Sequence, residues 1–162
     1  YLISEHILQN LLTPTAIVAT HGHFDHILAA NELQLAFNIP FIIHKKDIKI
    51  LNYMNKSATH WLKQEMIEQP PTDITEMGKE ITFGNTTLSV IETPGHTPGG
   101  VCLYNHEQKV VFTGDTIFNN NAYGRTDLSY GNSEDMVNSL KVIRERFEGY
   151  RGYAGHEGEF VV

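Results

Sequence analysis

The segment THGHFDH, Thr20–His26, follows the apolar run AIVA and constrains the fold more than any other stretch of the chain. Three imidazoles and one carboxylate within six positions cannot be packed into an apolar core, and imidazoles charged together would repel one another. His21 and His23, two apart in extended backbone, project to the same side. Asp25 and His26 enter the next turn and face a neighbouring point. Imidazole and carboxylate are ligand types for zinc, iron and manganese. A bound metal holds histidines neutral and removes their repulsion. The spacing therefore predicts that one segment serves two cations, at the ~3.5–4 Å separation of two-metal sites. The fold must bring the remaining ligands to the end of this strand.

Three other motifs supply candidates. In ETPGHTPGG, His96 is framed by prolines and glycines in a tight loop after a predicted strand, 86–92. In FTGDTIF, Asp115 follows a predicted strand, 109–113, where its two oxygens either bridge two cations or cap a turn. In AGHEGEF, His156 follows a short apolar segment. Each candidate lies just beyond the C-terminal end of a strand, where a rigid scaffold presents functional groups. Convergence of these ends would make segment 21–26 half of a metal cage, completed by His96, Asp115 and His156. The remaining histidines, His6, His44, His60 and His106, stand alone and read as surface residues.

Periodicity fills in the rest. Ile3, Ile7, Leu8, Leu11 and Leu12 predict an amphipathic helix over 2–12, ended by Pro14. A short buried strand over 16–20, a helix from about 25 to 37, a strand at PFII and a helix over 45–68 follow. That last helix carries a possible break at 55–59. Alternation on either side of Gly84-Asn85 predicts a hairpin. Two more strands, in GGVCLY and KVVFTG, precede a long Asn- and Gly-rich loop, and a helix capped by Ser133 runs to about Phe147. The chain reads as one domain over 1–162.

Composition excludes several classes. Nineteen acidic against twelve basic residues give a formal net charge of −7, which argues against nucleic acid as the main partner. The one basic run, Lys45, Lys46 and Lys49, reads as a solvated helix face. No apolar stretch is long enough to cross a bilayer, so no membrane partner is expected. The single cysteine, Cys102, permits no intrachain disulfide, suits a reducing, cytoplasmic compartment, and reads as a core residue within GGVCLY.

In this order, THGHFDH, TPGHTPGG, FTGDTIF and GRTDL resemble the metallo-β-lactamase superfamily, and within it the glyoxalase II-like (hydroxyacylglutathione hydrolase-like) branch. The likeness runs from about Ala16 to His156. It implies an α/β (α+β) fold, a four-layer αββα sandwich. It also implies that His21, His23 and His96 bind a first metal, that Asp25, His26 and His156 bind a second, and that Asp115 bridges them. Arg125 in GRTDL matches a basic position that contacts the thiol cofactor's carboxylate in glutathione-using relatives; pairing with Asp127 or capping the loop is the alternative.

Two departures stand out. Family members begin with strands ahead of the helix at 2–12, and these are absent here, so an incomplete sandwich with an open edge and self-association into a homo-oligomer are expected. Relatives read GHG where this chain has GHEG, and the helical C-terminal substrate domain of the larger glyoxalase II enzymes is missing. The implied function is metal-dependent hydrolysis of a thioester, glutathione-derived, or of a related ester. A water between two divalent ions, zinc first with iron and manganese also fitting, loses a proton near neutral pH and attacks the carbonyl. Asp25 would orient that nucleophile and pass a proton to the leaving group, and Asp115 would take part as the bridge. Persulfide dioxygenases, with one iron, share these motifs, and a non-catalytic metal-binding fragment is a third reading.

Overall fold

Four consecutive residues of one strand, Val101–Tyr104, are all buried, and their alternation explains the architecture. Val101 and Leu103 point one way, into a cluster with Met77, Ile81, Leu88 and Val90. Cys102 and Tyr104 point the other way, into a cluster with Met136, Leu140, Ile143 and Phe147. A strand covered on both faces must lie in an inner layer. The computed structural model describes residues 2–162.

The elements run α1 (Leu2–Gln9), β1 (Ile17–Val18), α2 (Phe24–Ile27), α3 (Ala30–Phe37), β2 (Phe41–Ile43), α4 (Ile48–Leu51), α5 (Met54–Leu62), β3 (Ile74–Glu76), β4 (Glu80–Phe83), β5 (Thr86–Glu92), β6 (Val101–Asn105), β7 (Val110–Gly114), α6 (Ser133–Arg146), β8 (Arg151–Ala154) and β9 (Glu159–Val161). One sheet has three parallel strands in the order β1-β2-β3; the other has six, in the order β4-β5-β6-β7-β8-β9. Val18 and Ile42 of the small sheet pack on Val90, Val101 and Leu103 of the large one. The opposite face of the small sheet, Ile17, Phe41 and Ile43, buries against Ile27, Ala30, Leu51 and Met54. The layers are therefore helix, sheet, sheet, helix, with α6 on the outer face of the large sheet, as expected for an α/β αββα fold.

Several elements differ from the sequence-based expectation. The helix expected over 25–37 is two, because Ala29 (φ −86°, ψ −1°) turns the chain between α2 and α3. The helical stretch at 45–68 breaks at Asn52–Tyr53, not at 55–59. Burial of Met54 and Ala58 holds the Asn-, Ser- and Thr-containing segment in α5, overriding its weak propensity. Lys63, in the left-handed conformation, then ends the helix. Ser133 is the first helical residue of α6 and not its cap; the Asn132 side chain accepts from the Glu134 and Asp135 amides at 2.9 and 3.1 Å. Strands β3 and β9, three residues each, carry too little alternation to be read in sequence. Helix α1 ends at Gln9 and buries none of its residues; Leu8 and Leu11 are exposed.

Candidate metal centre

Strand direction brings the four motifs together. β1, β5, β7 and β8 all end at one rim of the sandwich, and residues 20–26, 93–100, 115 and 155–156 follow those ends. The Val101 amide donates to the Thr20 carbonyl at 3.0 Å, tying the two sheets there. The expected donors fall into three overlapping groups: His21, His23 and His96; His21, His26 and Asp115; Asp25, His26 and His156. All seven sequence-predicted metal residues are thus in one site.

The first group is deep. His21, His23 and His96 are all buried, whereas Asp25 is exposed and the His156 side chain keeps half of its accessible surface. Hydrogen bonds select which nitrogen of each deep imidazole is free. The His96 Nδ1 faces the Arg125 carbonyl at 2.7 Å, so that nitrogen carries the proton and Nε2 presents a bare lone pair. His23 Nε2 meets the Tyr130 hydroxyl at 2.7 Å, leaving Nδ1. His21 Nδ1 lies 3.2 Å from the Thr20 hydroxyl, leaving Nε2. The Nε2 atoms of His21, His26 and His96 and Asp115 Oδ1 are buried with no hydrogen-bond partner.

Orphaned buried polar atoms aimed at one another ask for a ligand. The Asp115 carboxylate lies 3.4 Å from His26 and His96, 3.6 Å from His156 and 4.0 Å from His21. Asp25 is 3.5 Å from His26 and 3.4 Å from His156. These separations exceed good hydrogen bonds but match neighbouring vertices of a tetrahedron with bonds of ~2.0–2.1 Å, about 3.4 Å apart. The donor set, nitrogen and carboxylate oxygen without sulfur, suits a borderline divalent cation, so residues and group fit.

Protonation points the same way. Burial, aided by four surrounding imidazoles, holds the His21 pKa well below the usual range. Burial and His96 push His23 down to about 4. Neutral imidazole is the ligand form. Burial opposes charge on His26, but the Asp115 and Asp25 carboxylates outweigh it and raise its pKa. Burial likewise opposes ionisation of Asp115, yet His26, His96 and His156 hold its pKa below the ordinary carboxylate value.

Sequence reasoning missed the residue that organises the loops. Asp47, fully buried, accepts from the Gly22 amide at 2.9 Å and from the Gly99 amide at 2.6 Å, joining the loops of His21–His26 and His96. A Cβ at Gly99 would lie 2.7 Å from Asp47 Oδ1, so only glycine permits this approach. Gly155 is constrained in the same way, since a Cβ there would collide with Asp115 and His26. His44, read as a surface residue, is buried, its ring accepting from the Lys46 amide at 3.4 Å. It follows a buried strand, β2, which fixes its burial. His6, His60 and His106 are exposed. Cys102 lies in the core, and burial pushes its thiol up to about 11.

Arg125 lines the cleft above the centre, a cavity of about 370 Å³ that also includes Trp61, Phe118 and Tyr123. Its guanidinium is bidentate on Asp127, at 2.6 and 2.7 Å, and stacks over Trp61 at 5.3 Å. Lys45 and Lys46 are exposed and paired, with Glu76 and Glu92 respectively. No helix among the described residues is long and apolar enough to cross a membrane.

Known proteins resemble this chain in sequence and fold. A family model described as the metallo-beta-lactamase superfamily matches residues 5–148. The probable metallo-hydrolase YqgX of Bacillus subtilis (strain 168) is 34% identical over 139 residues, covering 85% of this chain and 65% of that protein. The hydroxyacylglutathione hydrolase GloC of Haemophilus influenzae is 28% identical over 145 residues, covering 86% of this chain and 68% of that one. TTHA1623, solved in a di-iron-bound form, superposes with a TM-score of 0.88 at 27% identity, covering 98% of this chain and 78% of its own. The B3 metallo-beta-lactamase BLEG-1 superposes with a TM-score of 0.85 at 31% identity, covering 99% and 78%. The chain spans about two thirds of the length of these curated relatives.

Proposed function

Because the chain belongs to the metallo-beta-lactamase superfamily, we propose that it hydrolyses a thioester of the hydroxyacylglutathione type, or a related ester, at a two-metal centre. The observation that carries this reading is the set of buried, unpartnered atoms, three imidazole Nε2 and Asp115 Oδ1, facing one another at the floor of an open cleft. His21 Nε2, His23 Nδ1 and His96 Nε2 would hold one ion, Asp25, His26 and His156 the other, and Asp115 would join both. Zinc is the first choice for this donor set, with iron and manganese acceptable to it. The likeness to GloC supports the thioester class.

When bound, the ions supply Lewis acidity and a water deprotonated near neutral pH. The chain supplies the rest. Asp25, on the solvent side, has a carboxylate oxygen available to orient the nucleophile and return a proton to the leaving atom. A thiolate leaves readily, so this proton matters more for an ester than for a thioester. Phe24, Trp61 and Leu128 wall the cleft and limit water around the scissile bond. Tyr130 holds the His23 ring through Nε2. Arg125 positions His96 through its carbonyl, and a substrate carboxylate reaching its guanidinium shares it with Asp127.

The test is anaerobic incubation of metal-quantified protein with a hydroxyacylglutathione thioester, following thiol release. Release should stop with chelator, return with added zinc, and fall about 10³-fold in Asp115→Ala together with loss of bound metal. Oxygen consumption with glutathione persulfide, without thioester cleavage, would replace this reading by a dioxygenase. An Asp115→Ala protein that retains both ions and full turnover would remove Asp115 from the site.

A further inference from the structure

The cleft has a second lobe. His23, Phe24, Trp61 and Tyr130 line both the metal-centre cavity and an adjoining one of about 650 Å³, walled by α4 and α5. Three lysines, Lys46, Lys49 and Lys56, line this lobe, and no Asp or Glu does. That is a local reversal in a chain with nineteen acidic and twelve basic residues. Lys46 is neutralised by Glu92 at 3.0 Å. Among the described residues, Lys49 and Lys56 have no carboxylate partner within 4.0 Å; the other paired lysines are Lys45 and Lys141. The Lys56 ammonium lies instead 5.2 Å over the Tyr53 ring. Ile50, Tyr53 and Trp61 give the lobe apolar walls, and Tyr53 and Trp61 keep about half of their surface open.

Two uncompensated ammonium groups at an apolar hollow are a recognition element for an oxyanion on a carbon chain. The hollow opens onto the metal centre, so one molecule can occupy both. We propose that this lobe is the specificity subsite: it binds the anionic tail of the substrate, a carboxylate or phosphate placed between Lys49 and Lys56, while the other end of the molecule lies at the metal centre. The hydrolase reading above supplies the identity of that other end; the anion preference stands on the lobe alone.

Trp61 is the single tryptophan of the chain and lines both lobes, so its fluorescence reports occupancy without turnover. Three matched, non-hydrolysable thioethers ending in carboxylate, phosphate or carboxamide are titrated against the purified protein. The anionic probes should bind about tenfold more tightly than the carboxamide, as expected for two solvent-facing charge pairs of ordinary strength. The preference should collapse near 1 M salt, where the screening length is ~3 Å. It should collapse also in the double variant Lys49→Gln, Lys56→Gln, but persist in Lys141→Gln, which removes a charge from α6 far along the chain. The relative strength of carboxylate and phosphate identifies the tail. Equal affinity for all three probes overturns the subsite even if thioester hydrolysis is found. Anion preference without any hydrolysis keeps the subsite and removes the hydrolase reading.

Discussion

The two halves of the candidate metal centre, three imidazoles in one and two imidazoles with a carboxylate in the other, sit in different surroundings. His21, His23 and His96 are buried, each with its second ring nitrogen engaged by Thr20, Tyr130 or the Arg125 carbonyl. Asp25 and His156 stand at the rim, and among the described residues their ion-pair partners are His26, Asp115 and each other. A ligand whose ring is fixed by a second hydrogen bond loses little freedom on binding an ion; a ligand on an open loop must be ordered by it. The deep half should therefore bind first and most tightly, and the rim half should be the exchangeable one.

The sharpest way to break that contrast is to remove one histidine from each half. His96→Ala should lose both ions and about 10³-fold in turnover, since in the proposed two-ion arrangement His96 and Asp115 would hold the deep ion together. His156→Ala should retain about one ion per chain and lose closer to 10²-fold. Elemental analysis of both variants, purified without added metal, reads the difference directly. Equal metal loss in the two proteins would mean that depth and second hydrogen bonds do not order the halves.

A smaller effect is expected one step outward. Asp47 touches no candidate ligand, yet its carboxylate holds the amides of Gly22 and Gly99, one in each loop of the deep half. Asp47→Asn keeps the volume and one acceptor, but turns the other toward an amide as a donor. Metal affinity at the deep site should fall by about 10–100-fold, with roughly 1–3 kcal/mol of stability lost through the unsatisfied buried amide. A zinc-competition titration separates the two effects from a simple unfolding change, because a merely structural residue would lower the melting temperature without moving the affinity of the folded protein.

The same contrast governs what could be read in the sequence. His21, His23, Asp25 and His26 are adjacent, so spacing alone exposed them, and the hairpin at Gly84-Asn85 declared itself through alternation and turn chemistry. His96, Asp115 and His156 were legible only as residues beyond strand ends, with convergence left to the fold. Asp47 was not legible at all. Its role depends on two amides 25 and 52 residues away, and locally it sits in HKKD, which looks like a solvated turn. His44 was misread for the same reason, as its burial comes from packing beside β2. The lysine lobe was also hidden. Lys49 belongs to a basic run that reads as a solvated helix face and Lys56 falls in the expected break over 55–59, and only the folding of α4 and α5 beside the candidate metal centre makes both line one cavity.

The gentlest probe of the deep half is acid, applied after chelation. His23 has its pKa pushed from 6.5 to about 4, and His21 also lies well below 6.5. Between pH 6.5 and 4 the unfolded chain therefore binds more protons at these positions than the folded one, and stability falls as pH falls. His26 works in the opposite sense: its raised pKa adds stability that is complete below 6.5 and is lost as pH rises through the folded value. Two depressed, deeply buried groups oppose one raised group, so the metal-free protein should melt lower at pH 5 than at pH 7. From His23 alone the loss is about 2 kcal/mol, being 1.36 kcal/mol for each of roughly one and a half pH units, or roughly 5 °C in a chain of this size. Removing His26 as His26→Asn should steepen the acid loss, and His23→Asn should flatten it. A chelated protein whose melting temperature holds or rises toward pH 5 would show that the deep imidazoles accept protons as easily as exposed ones, and the distinction between the halves would then rest on geometry alone.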